Sequence, residues 1–346
     1  MKNKELVCGN IAFSEAAIRG GCRYYYGYPI TPQNEVTSYM SSRMDEVGGV
    51  FLQAESEIAS INMVFGAALT GARAMTSSSS PGISLMQEGI SYLAACELPA
   101  VIANVMRGGP GLGNIAPAQS DYFQAVKGGG HGDYRLIVYA PSTVQEVVDY
   151  TYKSFSVAEK YRMQVMILMD GLLGQMMEPV VFPEMVEFKG IKSDWSITGC
   201  KGRAPRLVRS LFLGRGVLED HNKKLQEKYK KVEETEIKYE KYKTEDAEVL
   251  LTSFGICARF CRKAVDLLRE KGVAAGLFRP VTLWPFPGDE LFNAAKNVKK
   301  IVCVEMNAGQ MVEDVRLSVS NPEKVSFFGR TGGGIPSVSK IVEFAK

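Results

Sequence analysis

The apolar run 99–106 (PAVIANVM) limits the possible folds of this chain more than any other stretch. Its lack of charge is typical of a parallel strand buried on both faces, since such strands do not alternate polar with apolar residues. Short strands and helices alternate on either side of it. Strands are predicted at 23–28, 49–52, 135–139 and 164–169, and helices at 9–21, 33–42, 83–96 and 142–161. This alternation predicts an α/β fold, a doubly wound parallel sheet with functional loops at the carboxyl ends of its strands.

A second constraint is the stretch Gln53–Gly82, in which a helix of very small residues follows a group of acidic and amide side chains. That group consists of Gln53, Glu55 and Glu57. Gly66 and Gly71 each lower helix propensity by about 1 kcal/mol. We therefore expect this helix to pack tightly, with a carboxylate at its amino-terminal end. The carboxylate of Glu57 is either a functional group or one that the helix dipole favours at a helix start.

The helix leads into a segment rich in serine. The sequence predicts a turn at 73–76 and then a loop of four serines. Ser80, followed by Pro81 at a first helical position, is predicted to cap the next helix.

Composition excludes several classes of protein. The 346 residues suffice for two domains, and a net charge of +3 is too small to indicate nucleic acid or a membrane surface as a partner. No apolar run approaches the roughly 20 residues of a membrane span, and the helix-like amino terminus is interrupted by charge, unlike a signal peptide. The seven scattered cysteines predict buried free thiols in a reducing compartment. We therefore expect a cytoplasmic protein.

The composition changes beyond residue 185. An irregular connection containing the basic stretch KGRAPRLVR precedes the segment 217–246, in which lysines alternate with glutamates. We interpret that segment as a long, largely solvated helical arm, suited to contact with another subunit. The α/β pattern resumes at residue 247. The predicted division is therefore a first domain at 1–185, a linker with the arm at 186–246, and a smaller α/β domain at 247–346.

Two side chains at predicted strand ends are candidate ligand-binding groups. Arg107 follows the apolar run and opens the loop GGPGLGN, where a guanidinium beside bare backbone suits a small carboxylate; a surface ion pair is the alternative. Thr31 lies between two prolines after the strand at 23–28, and its hydroxyl could equally form a turn or cap a helix. The glycine spacing is not GxGxxG, and Pro110 interrupts it, which disfavours dinucleotide binding.

Three further polar residues receive no firm role. His131 lies in the second glycine loop, KGGGHGD, where a structural role is the simpler interpretation. Glu305 and Asn307 follow the predicted strand 301–304, and either site residues or a helix-capping turn would fit them.

The chain resembles the α subunit of 2-oxoacid:ferredoxin oxidoreductases, most closely the branched-chain (2-oxoisovalerate, or 3-methyl-2-oxobutanoate) type. The stretches that carry the resemblance are YYYGYPITPQNE, ESEIASINMVFGAALTGARAMTSSSSPGISLMQEG, NVMRGGPGLGN, YFQAVKGGGHGDYRLIVYAPS, MDGLLGQMMEPV and VEMNAGQM. They cover nearly the whole chain. The resemblance implies a thiamin diphosphate-binding fold, with a pyrimidine-binding first domain and a second domain similar to the C-terminal domain of transketolase.

The same resemblance implies an activity and residues that perform it. The expected reaction is the coenzyme A-dependent oxidative decarboxylation of a 2-oxoacid to acyl-CoA and CO2, with reduction of ferredoxin. Glu57 matches the family's Glu-x-Ala pattern through Ile58 and Ala59, as the catalytic carboxylate that binds and activates the thiamin ring. Glu55 lacks the alanine. By resemblance, Thr31 contacts the substrate's oxygen atoms and Arg107 holds its carboxylate.

Part of the expected machinery is missing from the sequence. Only Asp170-Gly171 remains of the GDG motif that holds diphosphate and Mg2+, and Cys257 and Cys261 have no second pair to complete a metal site. We therefore expect no metal site in this chain. The resemblance implies that thiamin diphosphate is shared with a β subunit that holds Mg2+ and iron–sulfur clusters, and that γ and ferredoxin-like δ subunits complete the complex.

Three alternatives stay open at this point. The same chemistry could act on 2-oxoglutarate or pyruvate instead of a branched-chain acid. The chain could belong to a lipoamide-linked, thiamin-dependent oxoacid dehydrogenase. It could also be a non-catalytic assembly subunit in which Glu57 is only a helix-start carboxylate.

Overall fold

The computed structural model describes residues 4–190 and 193–346, so Ile191 and Lys192 of the predicted linker lie outside the described part. The strands are β1 (Glu5–Cys8), β2 (Tyr24–Gly27), β3 (Val50–Gln53), β4 (Ala74–Ser78), β5 (Ala100–Met106), β6 (Ile137–Tyr139), β7 (Gln164–Asp170), β8 (Met177–Val180), β9 (Tyr239–Tyr242), β10 (Val249–Thr252), β11 (Ala275–Pro280), β12 (Thr282–Trp284), β13 (Lys300–Glu305) and β14 (Val325–Gly329). The helices are α1 (Gly9–Arg19), α2 (Asn34–Arg43), α3 (Glu57–Leu69), α4 (Ser80–Ala95), α5 (Val144–Tyr161), α6 (Gly171–Gln175), α7 (Val217–Thr235), α8 (Cys257–Glu270), α9 (Gly288–Ala295), α10 (Met311–Leu317) and α11 (Val338–Ala345).

The first sheet has seven strands in the order β12-β6-β7-β5-β4-β2-β3. All neighbours are parallel except β12, which pairs antiparallel with β6. Every residue of β5 and β7 is buried, as expected for strands covered by helices on both faces. The predicted doubly wound parallel sheet is confirmed, and every strand predicted in the first half of the chain is present.

The prediction of a turn at 73–76 followed by a serine loop was wrong. Strand β4 occupies this position, fully buried between β2 and β5. Ser77 Oγ donates a hydrogen bond to Gln33 Oε1 at 2.6 Å and lies 2.9 Å from the Tyr25 hydroxyl. Because buried partners satisfy this hydroxyl, the strand tolerates a side chain that in sequence is more typical of a loop.

The two glycines of α3 have different explanations. Gly71 has a φ of 79° just beyond the helix end, a conformation that favours glycine. A side chain added at Gly66 would meet no atom within 4 Å, so Gly66 does not make the tight packing expected of this helix. The close approach between α3 and α4 is instead made by Gly89, where an added Cβ would lie 2.5 Å from Ile61.

The second sheet has the order β14-β13-β10-β11-β9, with β9 antiparallel to β11. Strand β9 comes from the stretch predicted to be a helical arm, and α7 already ends at Thr235. The Tyr239 ring stacks on Phe278 with centroids 5.6 Å apart, and the Tyr242 hydroxyl donates to Asp266 at 2.7 Å. The alternation of lysines and glutamates thus predicted a helix where the structure has a strand. β1 also forms a strand, paired antiparallel with β8, where a helix-like start was predicted.

Helix α7 packs through one apolar face against the main hydrophobic core, and its opposite face is exposed to solvent. The buried residues of this face are Leu225, Tyr229 and Val232. Lys224 and Lys228 hold the Glu97 carboxylate at 2.5 and 3.1 Å. Burial alone would raise the pKa of Glu97, but the two ammonium groups lower it to about 2.

The two sheets are joined by buried polar contacts. The Gln119 backbone N–H donates to Met306 O at 2.9 Å, and its side-chain oxygen accepts from the Met306 N–H at 3.1 Å. Its side-chain nitrogen donates to Phe254 O at 2.9 Å. Strand β12 adds a second connection, because it follows β11 of the second sheet and pairs in the first. None of the helices in the described ranges has the length and apolarity needed to cross a bilayer.

The Glu97 contact leads to a prediction about pH. A carboxyl whose pKa is lowered on folding adds stability above its unfolded pKa, and this stability is lost as the pH falls through the folded pKa. Glu97→Gln should therefore lower the free energy of unfolding at pH 7 by about 1–2 kcal/mol, after allowance for solvent screening. The difference should shrink between pH 4.5 and 2, as measured by urea unfolding. Glu227→Gln, an exposed change on α7, the helix that carries Lys224 and Lys228, serves as the control; equal effects of both variants at pH 7 would contradict the prediction.

Candidate active site

The candidate residues meet at the carboxyl edge of the first sheet. Thr31 follows β2, Glu57 follows β3, and Arg107 follows β5. β3 lies on one side of β2 and β4 on the other, so the order of connections reverses here. Ligands of open α/β sheets bind in the crevice at such a reversal.

Glu57 is the first residue of α3 and is buried, with 5% of its surface exposed. Ser56 caps the helix by accepting a hydrogen bond from the Ala59 N–H at 3.2 Å. Ser78 Oγ at the end of β4 lies 3.3 Å from Glu57 Oε1 and donates to it. No lysine, arginine or histidine of the described residues forms an ion pair with this carboxyl group, so its remaining lone pairs are available to a ligand.

Gly82 makes room for the Glu57 carboxyl group. A Cβ added at Gly82 would lie 2.3 Å from Glu57 Oε1 and 2.0 Å from Ser78 Oγ, both impossibly close. The first turn of α4 thus approaches the carboxyl group with backbone alone. Gly66 and Gly71 stand out in the sequence because they lower helix propensity, whereas Gly82 was not predicted to take part in the site.

Arg107 is buried, with 9% of its surface exposed, and it has no carboxylate partner among the described residues. Its Nη1 donates to the Thr31 carbonyl at 3.0 Å, and its Nη2 lies 3.4 Å from the Leu112 carbonyl. The alternative of a surface ion pair is therefore wrong. A buried guanidinium held by carbonyl groups is suited to an external carboxylate.

Thr31 contributes its backbone to this arrangement. Its carbonyl oxygen is in direct contact with the Arg107 guanidinium. The sequence predicted that both residues lie at strand ends. Its hydroxyl accepts a weak hydrogen bond from Asn34 Nδ2 at 3.4 Å, a contact within the turn before α2. Thr31 is half-buried, and this contact fits the interpretation of its hydroxyl as part of a turn, while its substrate-binding role stays a prediction.

A buried polar group behind Arg107 was missed by the sequence analysis. Ser80 Oγ accepts from the Arg107 N–H at 3.0 Å and donates to Asp121 at 2.6 Å, and Asn104 also donates to Asp121, at 2.9 Å. Burial raises the pKa of Asp121, although the two hydrogen bonds oppose the shift. Ser80 was predicted only to cap α4; Ser79 precedes the helix instead, and Ser80 fixes the backbone of Arg107.

A cavity of about 480 Å3 opens beside the glycine loop, between the two halves of the chain. Its wall includes Gly108, Asp121, Asn307 and Thr331. Asn114 Nδ2 donates to the Gly332 carbonyl at 3.0 Å, so the carboxy-terminal part of the chain supports the loop that follows Arg107. The cavity places uncharged groups and one carboxyl group next to the candidate site.

Glu305 and Asn307 form the helix-capping turn that was one of their two interpretations. Glu305 accepts hydrogen bonds from the backbone N–H groups of Met311 and Val312, at 2.9 and 3.0 Å, at the start of α10. Asn307 donates to Glu305 at 2.7 Å and accepts from the Gly309 N–H at 2.8 Å. Burial raises the pKa of Glu305, opposed by these donors. Asn307 also reaches the cavity wall.

His131 and Asp170 likewise have structural contacts. The exposed His131 ring meets Tyr92 edge-on, and its carbonyl accepts from Ser91 at 2.7 Å. Asp170 accepts from the first N–H groups of α6, and burial raises its pKa to about 6. Among residues 4–190 and 193–346, no three His, Cys, Asp or Glu side chains converge to hold a metal ion.

Comparison with known families identifies this architecture. The model described as "Pyruvate flavodoxin/ferredoxin oxidoreductase, thiamine diP-bdg" matches residues 15–246, and that for "Pyruvate:ferredoxin oxidoreductase core domain II" matches residues 247–341. The chain belongs to the 2-oxoacid:ferredoxin oxidoreductase family. The resemblance recognised from the sequence is confirmed.

Relatives match this chain over nearly all of its length. It is 48% identical to the ketoisovalerate oxidoreductase subunit VorB of Methanothermobacter thermautotrophicus, over 98% of this chain and 96% of the relative. It is 39% identical to the 2-oxoglutarate synthase subunit KorA of Archaeoglobus fulgidus, over 94% of each.

Solved structures agree with the predicted fold class. The 2-oxoglutarate:ferredoxin oxidoreductase from Magnetococcus marinus, with 2-oxoglutarate, coenzyme A and succinyl-CoA bound, superposes with a TM-score of 0.89 at 28% identity. The match covers 99% of this chain but only 65% of that one. A split-gene transketolase matches at a TM-score of 0.60 and 13% identity, over 97% of this chain and 96% of that one, which shows a shared fold alone.

The position of Gly82 leads to a testable prediction. Gly82→Ala should displace the Glu57 carboxyl group and lower turnover of the assembled enzyme about 10–100-fold, measured as kcat and as the KM for thiamin diphosphate. The isolated chain should lose no more than about 2 kcal/mol of unfolding free energy, since alanine favours a helix. Gly66→Ala is the matched control, because its added methyl group meets open space. Wild-type kinetics of Gly82→Ala would show that Gly82 does not set the carboxyl position.

Proposed function

We propose that this chain supplies the thiamin-activating carboxylate and the substrate-carboxylate site of an enzyme that oxidatively decarboxylates 2-oxoisovalerate. In the proposed reaction, coenzyme A receives the acyl group, CO2 is released and ferredoxin is reduced. The observation that carries the proposal is a pair of buried charged side chains, Glu57 and Arg107, at one sheet edge. Neither forms an ion pair with a described residue, and burying an unpaired charge costs several kcal/mol. Ligands that complete both groups account for this arrangement.

The residues around Glu57 fit the aminopyrimidine part of thiamin diphosphate. Gly82 leaves backbone beside the carboxyl group, and Ser78 occupies only one of its lone-pair positions. When bound, the cofactor supplies the carbon nucleophile and the electron sink for decarboxylation. Glu57 would accept a hydrogen bond from the ring nitrogen and hold the proton there. The burial of Glu57 keeps water away from this contact.

Arg107 and Thr31 would orient the substrate. The Arg107 guanidinium already donates a hydrogen bond to the Thr31 carbonyl on one side. Its remaining N–H groups can bind a carboxylate through two hydrogen bonds. Ser80 and Asp121 fix the Arg107 backbone, so the guanidinium needs little reorganisation when the acid arrives. The Thr31 hydroxyl is proposed to donate to a substrate oxygen.

The proposed division of cofactors rests on the motifs of the sequence. Only Asp170-Gly171 of the GDG motif is present, and the cysteines are scattered, without the spacing of a ferredoxin-like cluster. We place Mg2+, the diphosphate site and the iron–sulfur clusters in a β subunit. By the family resemblance, γ and ferredoxin-like δ subunits would complete a cytoplasmic complex.

The preference for a branched-chain acid rests on two observations. The relatives that share 48% and 49% of their residues with this chain are named for ketoisovalerate, and those named for 2-oxoglutarate share at most 39%. In addition, the cavity beside Arg107 contains no lysine or arginine in its wall and does contain Asp121. This wall disfavours the second carboxylate of 2-oxoglutarate.

Replacing Glu57 tests the catalytic role. Glu57→Gln keeps size and hydrogen bonding to Ser78 but cannot hold the proton, so turnover should fall about 100–10,000-fold. Coenzyme A-dependent reduction of ferredoxin, without lipoamide, is the assay. Native mass spectrometry verifies that the complex stays assembled. Turnover within a few fold of wild type in an intact complex would make Glu57 a helix-start carboxylate only.

A comparison of acids tests the substrate. With the purified complex, kcat/KM should be higher for 2-oxoisovalerate than for 2-oxoglutarate or pyruvate. Pyruvate lacks two of the carbons of 2-oxoisovalerate, and because a single methylene group is worth roughly 10–200-fold, the preference over pyruvate should be at least about tenfold. Arg107→Lys should raise the KM for all three acids, because lysine lacks the planar pair of N–H groups that binds both oxygens of a carboxylate. Equal or better use of 2-oxoglutarate would contradict the branched-chain assignment.

A further inference from the structure

Residues 201–218 form an exposed strip of leucines and arginines, here called the leucine–arginine strip. Leu207, Leu211 and Leu213 are 74%, 65% and 86% exposed. Val217 and Leu218, at the start of α7, continue the apolar surface. Single exposed apolar residues are ordinary, but five within the twelve residues 207–218 indicate an interaction surface.

The strip is held in place by its inward-facing residues. Val208 packs against the main hydrophobic core, and the Phe212 ring stacks on His221 with centroids 4.7 Å apart. His221 is itself bonded to the Ala95 carbonyl at 2.9 Å. Arg206 donates to the Ser196 carbonyl at 2.7 Å. These anchors present the leucines outward on a fixed backbone, which limits the entropy lost on binding.

The strip is also strongly basic. It contains five cations and no acidic residue: Lys201, Arg203, Arg206, Arg209 and Arg215. None of them forms an ion pair with a described carboxylate, whereas Lys223 of the following helix pairs with Glu219. An apolar surface surrounded by unpaired arginines is suited to a partner with apolar side chains and acidic neighbours.

We propose that the leucine–arginine strip is the docking surface for an acidic protein subunit of the same complex. The inference rests on the multi-subunit enzyme of the proposed function. A groove of about 1050 Å3 begins at Leu218 and runs between α7 and the loop around Asp133, so the partner's contact can continue beyond the strip.

Other occupants fit the charges less well. A second copy of this chain, related by a two-fold axis, would place the five cations against five cations. An anionic membrane would meet Glu219 and Asp220, which follow the strip directly. A small anion would need convergent cations, but these are spread along an irregular segment, and none of them lines a described cavity.

Hydrogen exchange of the isolated chain and of the purified complex tests the docking surface. Backbone amides of 207–218 should exchange at least about tenfold more slowly in the complex. Two double variants, L211S/L213S and R209E/R215E, should each weaken reassembly with the remaining subunits about tenfold or more, measured as Kd. The effect of R209E/R215E should shrink when salt is raised to about 0.5 M.

Matched controls separate this surface from general damage. L317S changes a leucine that is 81% exposed on α10, and K296E reverses an exposed lysine; both should leave reassembly unchanged. Unaltered exchange of 207–218 in the complex would overturn the proposal. So would self-association of the isolated chain that the double variants abolish, or binding to phosphatidylserine vesicles through the strip. Turnover per intact complex reports separately on the proposed function.

Discussion

Two buried charges of opposite sign, which do not pair with each other, are held by one short connection between β4 and α4. Ser78 donates to the Glu57 carboxyl group, and Ser80 accepts from the Arg107 backbone. Gly82, two residues further, leaves space for the carboxyl group. Burying each charge costs free energy. If the charge is to be available to a ligand, its position must be fixed by neighbours that do not neutralise it. Hydroxyl groups and bare backbone do this, which explains why serines and glycine make up this segment of the candidate site.

Much of the first sheet could be predicted from sequence, because a fully buried parallel strand such as β5 has a distinctive apolar composition. The same rule missed β4, since its serines are satisfied by partners distant in sequence, such as Gln33. Glu57 and Arg107 were found through strand ends and family patterns. Asp121 was not, because its role depends on contacts to Ser80 and Asn104 that no local spacing reveals.

The second half of the chain supports the site without supplying its charged groups. Gln119 follows the glycine loop and is bonded through both backbone and side chain to Met306. Glu305 caps α10 and thereby holds the turn at Asn307 against the same segment. A rigid second sheet therefore fixes the loop that begins at Arg107. Long-range pairing of this kind, including β12 in the first sheet, has no signature in local sequence.

We propose that the chain is incomplete in two separate ways, at the sheet edge and at the leucine–arginine strip, and the same reasoning applies to both. Stability alone would favour a carboxylate beside Arg107 and polar residues in place of Leu211 and Leu213. Among the described residues, no carboxylate pairs with Arg107, and exposed leucines occupy positions 211 and 213. Changes of this kind at a surface or a site commonly add roughly 0.5–2 kcal/mol to the free energy of unfolding. Under the two proposals, ligands at the sheet edge and another chain on the strip would offset this cost. Because the strip follows the first sheet's domain and leads into α7, a partner bound there would hold that helix against the domain that carries Glu57.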